Sequence, residues 1–167
     1  MITKDQLAAA MLRECDICIH LASKLPVGAA DYRPSGTQRS TVELLRYLSI
    51  CGSAALDCLA HADWKRFAGH AAEVKEMPVE GFAAAMEQQK AAITAFFARV
   101  TETDLESQEA PLPGGSGATP LGLAILNAPL KWLTAYKMQL FLYAKASGAA
   151  EIGTSNAWRG ADPAPKA

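Results

Sequence analysis

Four stretches of this chain repeat apolar residues every three or four positions, which is the spacing of one face of an α-helix. The stripes start near Leu7, Leu44 and Phe82, and after Pro120. A long helix with one apolar stripe buries that stripe against other helices, and four such helices form a bundle. The sequence therefore predicts an all-α fold in which residues 1–148 form a single four-helix-bundle domain.

Two of these helices start with a capping box, in which the side chains of two residues three positions apart each bond the other's backbone N–H. The pairs are Thr3 with Gln6 and Ser40 with Glu43. They predict a first helix from residue 4 and a second, uninterrupted helix from residue 41 to about residue 61.

The fourth helix is predicted to begin after Thr119, with Pro120 in its first turn, and to end near Gly148. Pro129 lies inside it and predicts a kink, because proline has no N–H to donate within the helix. Residues 149–167 are polar and rich in proline, which predicts a C-terminal tail that is partly extended or disordered.

The second and third helices are joined by residues 62–77. A link of that length spans the whole bundle, so these two helices are expected to run in the same direction. Trp64 and Phe67 are expected to hold the link against the bundle. Residues 101–118 predict a long, flexible loop, because they are rich in Gly, Pro and Ser.

The charges and the cysteines bear on the partners and the location of the protein. Sixteen basic residues stand against seventeen acidic ones, for a net charge of −1, which disfavours nucleic-acid binding. Lys4, Asp5, Arg13 and Glu14 interrupt the first apolar run, so neither a signal peptide nor a membrane span is expected. Four cysteines without an export signal favour free thiols in a reducing cytoplasm.

Cys15, Cys18 and His20 resemble a metal-binding motif, but their spacing argues against one. On a helix the two cysteines lie ~60° apart on the buried face, whereas the histidine points to the opposite side. The cysteines are therefore interpreted as buried small apolar residues, and the histidine as a surface residue. The other two histidines are also predicted at the surface, with His61 paired to Asp57.

Two segments carry a resemblance to a known family. "DYRPSGTQRSTVELLRYLS" (31–49) and "LKWLTAYKMQLFLYAKASG" (130–148) are similar, in content and order, to segments of the DinB-like (DinB/YfiT) superfamily of bacterial helical bundles. The resemblance covers roughly residues 5–148. It implies an up-down-down-up bundle and, as in many members, a homodimer.

The resemblance also implies the position of a metal site. Members of that family typically hold a divalent metal with three histidines, and the matching positions here are Tyr47, Trp132 and Tyr136. A phenol must first lose a proton with a pKa of ~10, and an indole has no lone pair to offer. We therefore expect no metal and no other cofactor at these positions, against the alternative of a divalent metal such as zinc or nickel.

With no metal, these rings have two alternative roles. They either line a pocket for a small apolar or amphipathic ligand, with the tyrosine hydroxyls as hydrogen-bond donors, or pack against one another and close the cleft. The candidate neighbours of such a pocket are Cys51, Arg33, Lys137 and Gln139.

Two further functions stay open at the level of sequence. Some relatives are metal-dependent thiol transferases or isomerases, and Cys51 is the candidate ligand or nucleophile for such an enzyme, although no residue is placed to lower its pKa. The other alternative is a noncatalytic, dimeric stress or interaction protein.

Overall fold

The computed structural model describes residues 2–115 and 117–164 and confirms the predicted all-α fold. The helices in these residues are α1 (Lys4–Ala22), α2 (Thr41–Leu48), α3 (Cys51–Ala60), α4 (Arg66–Glu73), α5 (Phe82–Arg99), α6 (Glu102–Ser107), α7 (Leu121–Ile125), α8 (Lys131–Ala146) and α9 (Thr154–Arg159). Two short antiparallel strands, β1 (Glu109–Pro111) and β2 (Ala118–Pro120), precede α7.

Contacts between distant residues give the relative directions of α1 and α5. The Lys4 side chain, at the start of α1, donates to the carbonyl of Val100, just after α5, over 3.1 Å. Asp16, near the end of α1, pairs with Lys90 in the middle of α5 at 2.6 Å. The two helices therefore run in opposite directions.

The α2–α3 pair also runs opposite to its main neighbour, α8. Tyr143, near the end of α8, donates to the carbonyl of Arg39, just before α2. Gly52, at the start of α3, lies against Leu133, at the start of α8. α1 packs against both α5 and α8, so the apolar stripes of the rods meet in one core.

The two predicted capping boxes are confirmed. The Gln6 N–H donates to the hydroxyl of Thr3 over 3.2 Å, and the Thr3 N–H donates to the side chain of Gln6 over 3.0 Å. Ser40 and Glu43 form the same reciprocal pair at the start of α2. Local chemistry alone therefore fixes where these helices begin.

The prediction of an uninterrupted second helix is wrong, because Ser49 and Ile50 break it into α2 and α3. α3 begins without a side-chain cap of its own. Gln89 of α5 supplies one: its carbonyl oxygen accepts from the N–H of Gly52 at 2.8 Å and of Ser53 at 3.2 Å. Its amide nitrogen donates to the carbonyl of Leu48, the last residue of α2, over 2.9 Å.

Glycine at position 52 makes this contact possible. A Cβ there would lie 3.0 Å from a methyl group of Leu133 and 3.2 Å from the Gln89 carbonyl oxygen. Because both neighbours are buried, neither has free space to retreat. The missing side chain thus allows α3 to approach α5 and α8 closely.

The fourth rod differs from the prediction at its start, because Thr119 lies in β2 and does not cap a helix. Pro129 lies in a π-helical turn, Leu126–Leu130, between α7 and α8. The kink expected at Pro129 stays a prediction. The predicted flexible loop at 101–118 contains α6 and β1, although Ser116 lies outside the described residues.

The link between α3 and α5 contains α4, which is attached by charged groups. Asp57 of α3 accepts from the Arg66 guanidinium at 2.7 and 3.2 Å and lies 3.0 Å from the His70 ring. The predicted pairing of His61 with Asp57 is confirmed at 3.2 Å. Burial alone would raise the pKa of Asp57, but the hydrogen bonds from Arg66 and His70 outweigh it and lower the pKa to about 2.

The C-terminal segment predicted to be partly extended or disordered contains α9, which packs against α1. Asn156 of α9 is buried and lies 3.0 Å from the His20 ring, so the expectation of a surface position for His20 is wrong: its side chain is 16% exposed. Residues 165–167 of the predicted tail lie outside the described residues.

The four cysteines are free and buried, as the helical spacing predicts. Burial raises the pKa of Cys15 to about 12, and it also raises the pKa of Cys18 well above its ordinary value. A thiol with a raised pKa stays protonated at neutral pH, so these side chains pack as small apolar parts of the core.

Replacing Gln89 with leucine tests the cap between α2 and α3. We expect Gln89→Leu to lower the free energy of unfolding by about 3 kcal/mol, because the buried Leu48 C=O and Gly52 N–H and the partly buried Ser53 N–H all lose their bond to Gln89. Gln88→Leu is the matched control, since Gln88 is the exposed neighbour on α5 and should change stability by less than about 0.5 kcal/mol. Urea denaturation measures both; equal stability of the two variants would contradict the role of Gln89.

Asp57→Asn tests the attachment of α4. The pKa of Asp57 is lowered on folding, from 3.8 to about 2, so its ionised form stabilises the fold above pH 4 and this contribution is lost as the pH falls from 4 towards 2. We expect the substitution to cost about 2 kcal/mol at pH 7 and almost nothing near pH 2. Urea denaturation of both proteins across this range measures the difference; a cost independent of pH would refute the assignment.

Candidate functional site

The three positions that the family resemblance singles out lie together. The ring of Tyr47, on α2, has its centroid 4.6 Å from that of Tyr136 and 6.5 Å from that of Trp132, both on α8. Tyr136 and Trp132 are four residues apart, so they lie on one face of α8, towards α2. The break after α2 leaves this short helix packed mainly against α8.

Two more aromatic side chains complete this group, which we call the aromatic cluster (Tyr47, Trp64, Phe67, Trp132 and Tyr136). The Trp132 ring lies 5.6 Å from that of Trp64 and 5.9 Å from that of Phe67. Trp64 also donates its indole N–H to the carbonyl of Pro111 over 2.8 Å. The link after α3 is thus held against the bundle by its two aromatic residues, as the sequence predicts.

Arg39 belongs to this site and was missed at the level of sequence. Its guanidinium carbon lies 4.3 Å from the centroid of the Tyr47 ring and 5.4 Å from that of Tyr136, which places a cation against both rings. The hydroxyl of Tyr143 donates to the Arg39 carbonyl over 3.0 Å and fixes the backbone there. The sequence feature that could have pointed to Arg39 is its position directly before Ser40, the capping residue of α2.

A pocket of about 410 Å³ opens beside Tyr47. We call it the Tyr47 pocket; its walls come from α2, from Ile50 and from the end of α4 with the residues that follow. Trp132 and Tyr136 do not line it. The hypothesis of packed rings therefore applies to Trp132 and Tyr136, which lie behind Tyr47. The hypothesis of a ligand pocket applies to Tyr47, which faces an open pocket.

A larger groove, of about 460 Å³, adjoins this pocket and shares Ile50 and Val74 with it. It lies between α3, α4 and α5. Among its titratable groups, which also include Glu73 and Arg99, Asp57 is already paired with His61 and with His70. The Tyr47 pocket is therefore the better candidate for ligand binding.

Two of the predicted pocket neighbours lie elsewhere. Lys137 follows Tyr136 in sequence, but on a helix the next residue points ~100° away. Its ammonium group is fully buried between α8 and α1, 2.8 Å from the Glu14 carboxylate and 4.7 Å from the Trp158 ring centroid. Arg33 is an exposed residue that pairs with Glu43 at 3.4 Å, outside the lining of the pocket.

The other two neighbours have supporting positions. Gln139 donates its amide to the hydroxyl of Tyr143, which in turn bonds the Arg39 carbonyl, so Gln139 acts on the site through Tyr143. Cys51 is fully buried, and burial raises the pKa of its thiol well above the ordinary value. A thiol in that state is a poor nucleophile and a poor metal ligand.

The side chains at the three positions do not fit a divalent metal. Burial raises the pKa of Tyr47 above its ordinary value of 10, so the hydroxyl stays protonated at neutral pH. Trp132 has no lone pair to offer. Elsewhere in the part of the chain that the structure describes, no group of three or more His, Cys, Asp or Glu side chains is arranged to hold a metal ion.

No helix among the described residues is both long and apolar enough to cross a membrane.

Comparison with solved structures identifies the fold. The protein is similar to a DinB-like protein from Bacillus subtilis, YjoA, with a TM-score of 0.66 and 17% sequence identity; the match covers 86% of this chain and 92% of that one. No protein-family model matches the sequence, and no curated protein matches it either. The chain therefore has a DinB-like fold, as the segments at 31–49 and 130–148 predicted.

Proposed function

We propose that this protein is a DinB-like protein that binds a small amphipathic ligand in the Tyr47 pocket without a metal ion. The observation that carries the proposal is the open pocket of about 410 Å³ beside a ring that is held in place by Tyr136 and Arg39. A cavity of this size beside an aromatic ring is typical of small-molecule sites, and its lining combines apolar residues with charged ones. Trp132 and Tyr136 contribute by supporting Tyr47.

The absence of a metal at the aromatic cluster is part of this proposal. It is supported by the donor set, since a protonated phenol and an indole cannot replace imidazole nitrogens. A thiol transferase or isomerase of the metal-dependent kind would need both a Lewis acid and an activated thiol. Cys51 is buried and its pKa is raised, so it does not provide the activated thiol that such an enzyme needs.

Homodimer formation and a cytoplasmic location remain predictions from the sequence and the family resemblance. A noncatalytic stress or interaction role is compatible with ligand binding and is not favoured by a separate observation.

A metal titration tests the first half of the proposal. We expect protein purified without a histidine tag to contain no zinc or nickel at the level of one ion per chain and to show no saturable heat on titration with either chloride salt. As a positive control, the triple variant Tyr47→His, Trp132→His, Tyr136→His should bind zinc, since the three positions face one another. Stoichiometric zinc or nickel in the native protein would refute the proposal.

A pocket-filling substitution tests the second half. Ala71 and Ala72 are exposed neighbours on α4, and Ala71 lines the pocket whereas Ala72 does not. We expect Ala71→Trp to weaken the binding of 1-octanol by at least about tenfold, because the indole occupies the space, and Ala72→Trp to leave binding unchanged. Ligand-observed NMR measures both. If both variants bind 1-octanol as well as the native protein does, the pocket is not the binding site.

A further inference from the structure

Three cationic side chains line the Tyr47 pocket, namely Arg39, Arg46 and Lys75. None of them forms an ion pair with a carboxylate of the described residues, whereas Arg33, Arg66 and Lys90 all do. Unpaired arginines around one concave site are unusual, because surface cations are ordinarily scattered among carboxylates. The positive charge of these three side chains therefore suggests a role in binding a ligand.

The two arginines are held so that part of each guanidinium is free. The guanidinium carbon of Arg39 lies 4.3 Å from the centroid of the Tyr47 ring, a contact that uses none of its N–H donors. Arg46 donates its Nε–H to the carbonyl of Met77 over 2.9 Å, so its two terminal nitrogens remain available. Both groups therefore keep the donors that bind an oxyanion in a bidentate manner.

The carboxylates of the pocket cancel this charge only in part. Glu43 accepts from the Ser40 backbone N–H at 2.6 Å and pairs with Arg33, at 3.4 Å, outside the pocket. The hydrogen bond from Ser40 and the charges of Arg33 and Arg46 lower the pKa of Glu43, so this carboxylate is shared between a cation outside the lining and one within it. Glu76 is the other carboxylate in the lining, against three cations. The lining consequently favours a ligand of negative charge.

The rest of the lining is apolar. Tyr47 presents its ring, Ile50 is buried, and Val74 closes the side towards the adjoining groove. We infer that the pocket binds an oxyanion-headed amphiphile, whose carboxylate or phosphate is held by Arg39 and Arg46 and whose apolar part lies against Tyr47, Ile50 and Val74. This inference rests on the proposed function and adds to it the chemical class of the ligand.

The test compares three probes with the same eight-carbon tail: octanoate, octyl phosphate and 1-octanol. Isothermal titration of the native protein should give a dissociation constant at least about tenfold lower for one or both anions than for the alcohol, and that preference should decrease with added salt. The stronger anion identifies the preferred head group, carboxylate or phosphate.

Arg39→Gln separates charge recognition from binding of the tail. Arg39 is exposed, so its replacement should not endanger folding. The variant should lose the preference for the anions and bind all three probes about as weakly as the native protein binds 1-octanol. Arg159→Gln, which removes an exposed arginine on α9 outside the pocket, is the matched control and should keep the preference.

The possible failures are distinguishable. If 1-octanol binds as tightly as both anions, or if Arg39→Gln keeps the preference, the inference on charge is wrong while the proposed function stands. If none of the three probes binds, both the proposed function and this inference are wrong.

Discussion

Gln89 bonds the backbone on both sides of the break between α2 and α3, and the arrangement of the bundle depends on these bonds. A helix interrupted inside a core leaves N–H and C=O groups without partners, and each such group costs about 1–3 kcal/mol if it stays unsatisfied. One amide side chain satisfies the groups of Leu48, Gly52 and Ser53. Because these backbone groups are satisfied, α2 can pack against α8 while α3 packs against α5 and the π-helical turn.

The break between α2 and α3 determines which groups surround Tyr47 in the candidate site. Tyr47 ends up on a two-turn helix against α8, where Tyr136 and Arg39 hold its ring from two sides. The positions that the family resemblance assigns to three imidazoles carry a phenol, an indole and a second phenol. Under the proposed function, the site therefore acts through shape, aromatic contact and the positive charge of nearby arginines, without a Lewis acid.

Local signals predicted the fold well, because a helix start or an apolar stripe is encoded within a few residues. The two capping boxes were accessible in this way, whereas the clustering of Tyr47 with Trp132 and Tyr136 followed from the family resemblance. The break at residues 49–50 was not accessible, since its compensation comes from Gln89, which is distant in sequence. The burial of Lys137 was missed for the same reason: its partner, Glu14, lies on another helix.

The central claim is that the Tyr47 pocket binds an oxyanion-headed ligand while the aromatic cluster holds no metal. A crystal structure of native protein grown with octanoate and zinc chloride tests both parts at once. The account predicts density for the carboxylate between Arg39 and Arg46, with the tail along Tyr47 and no ion among the rings. An ion coordinated by Tyr47 and Tyr136, or a pocket closed by a rotated Tyr47 ring, would contradict it.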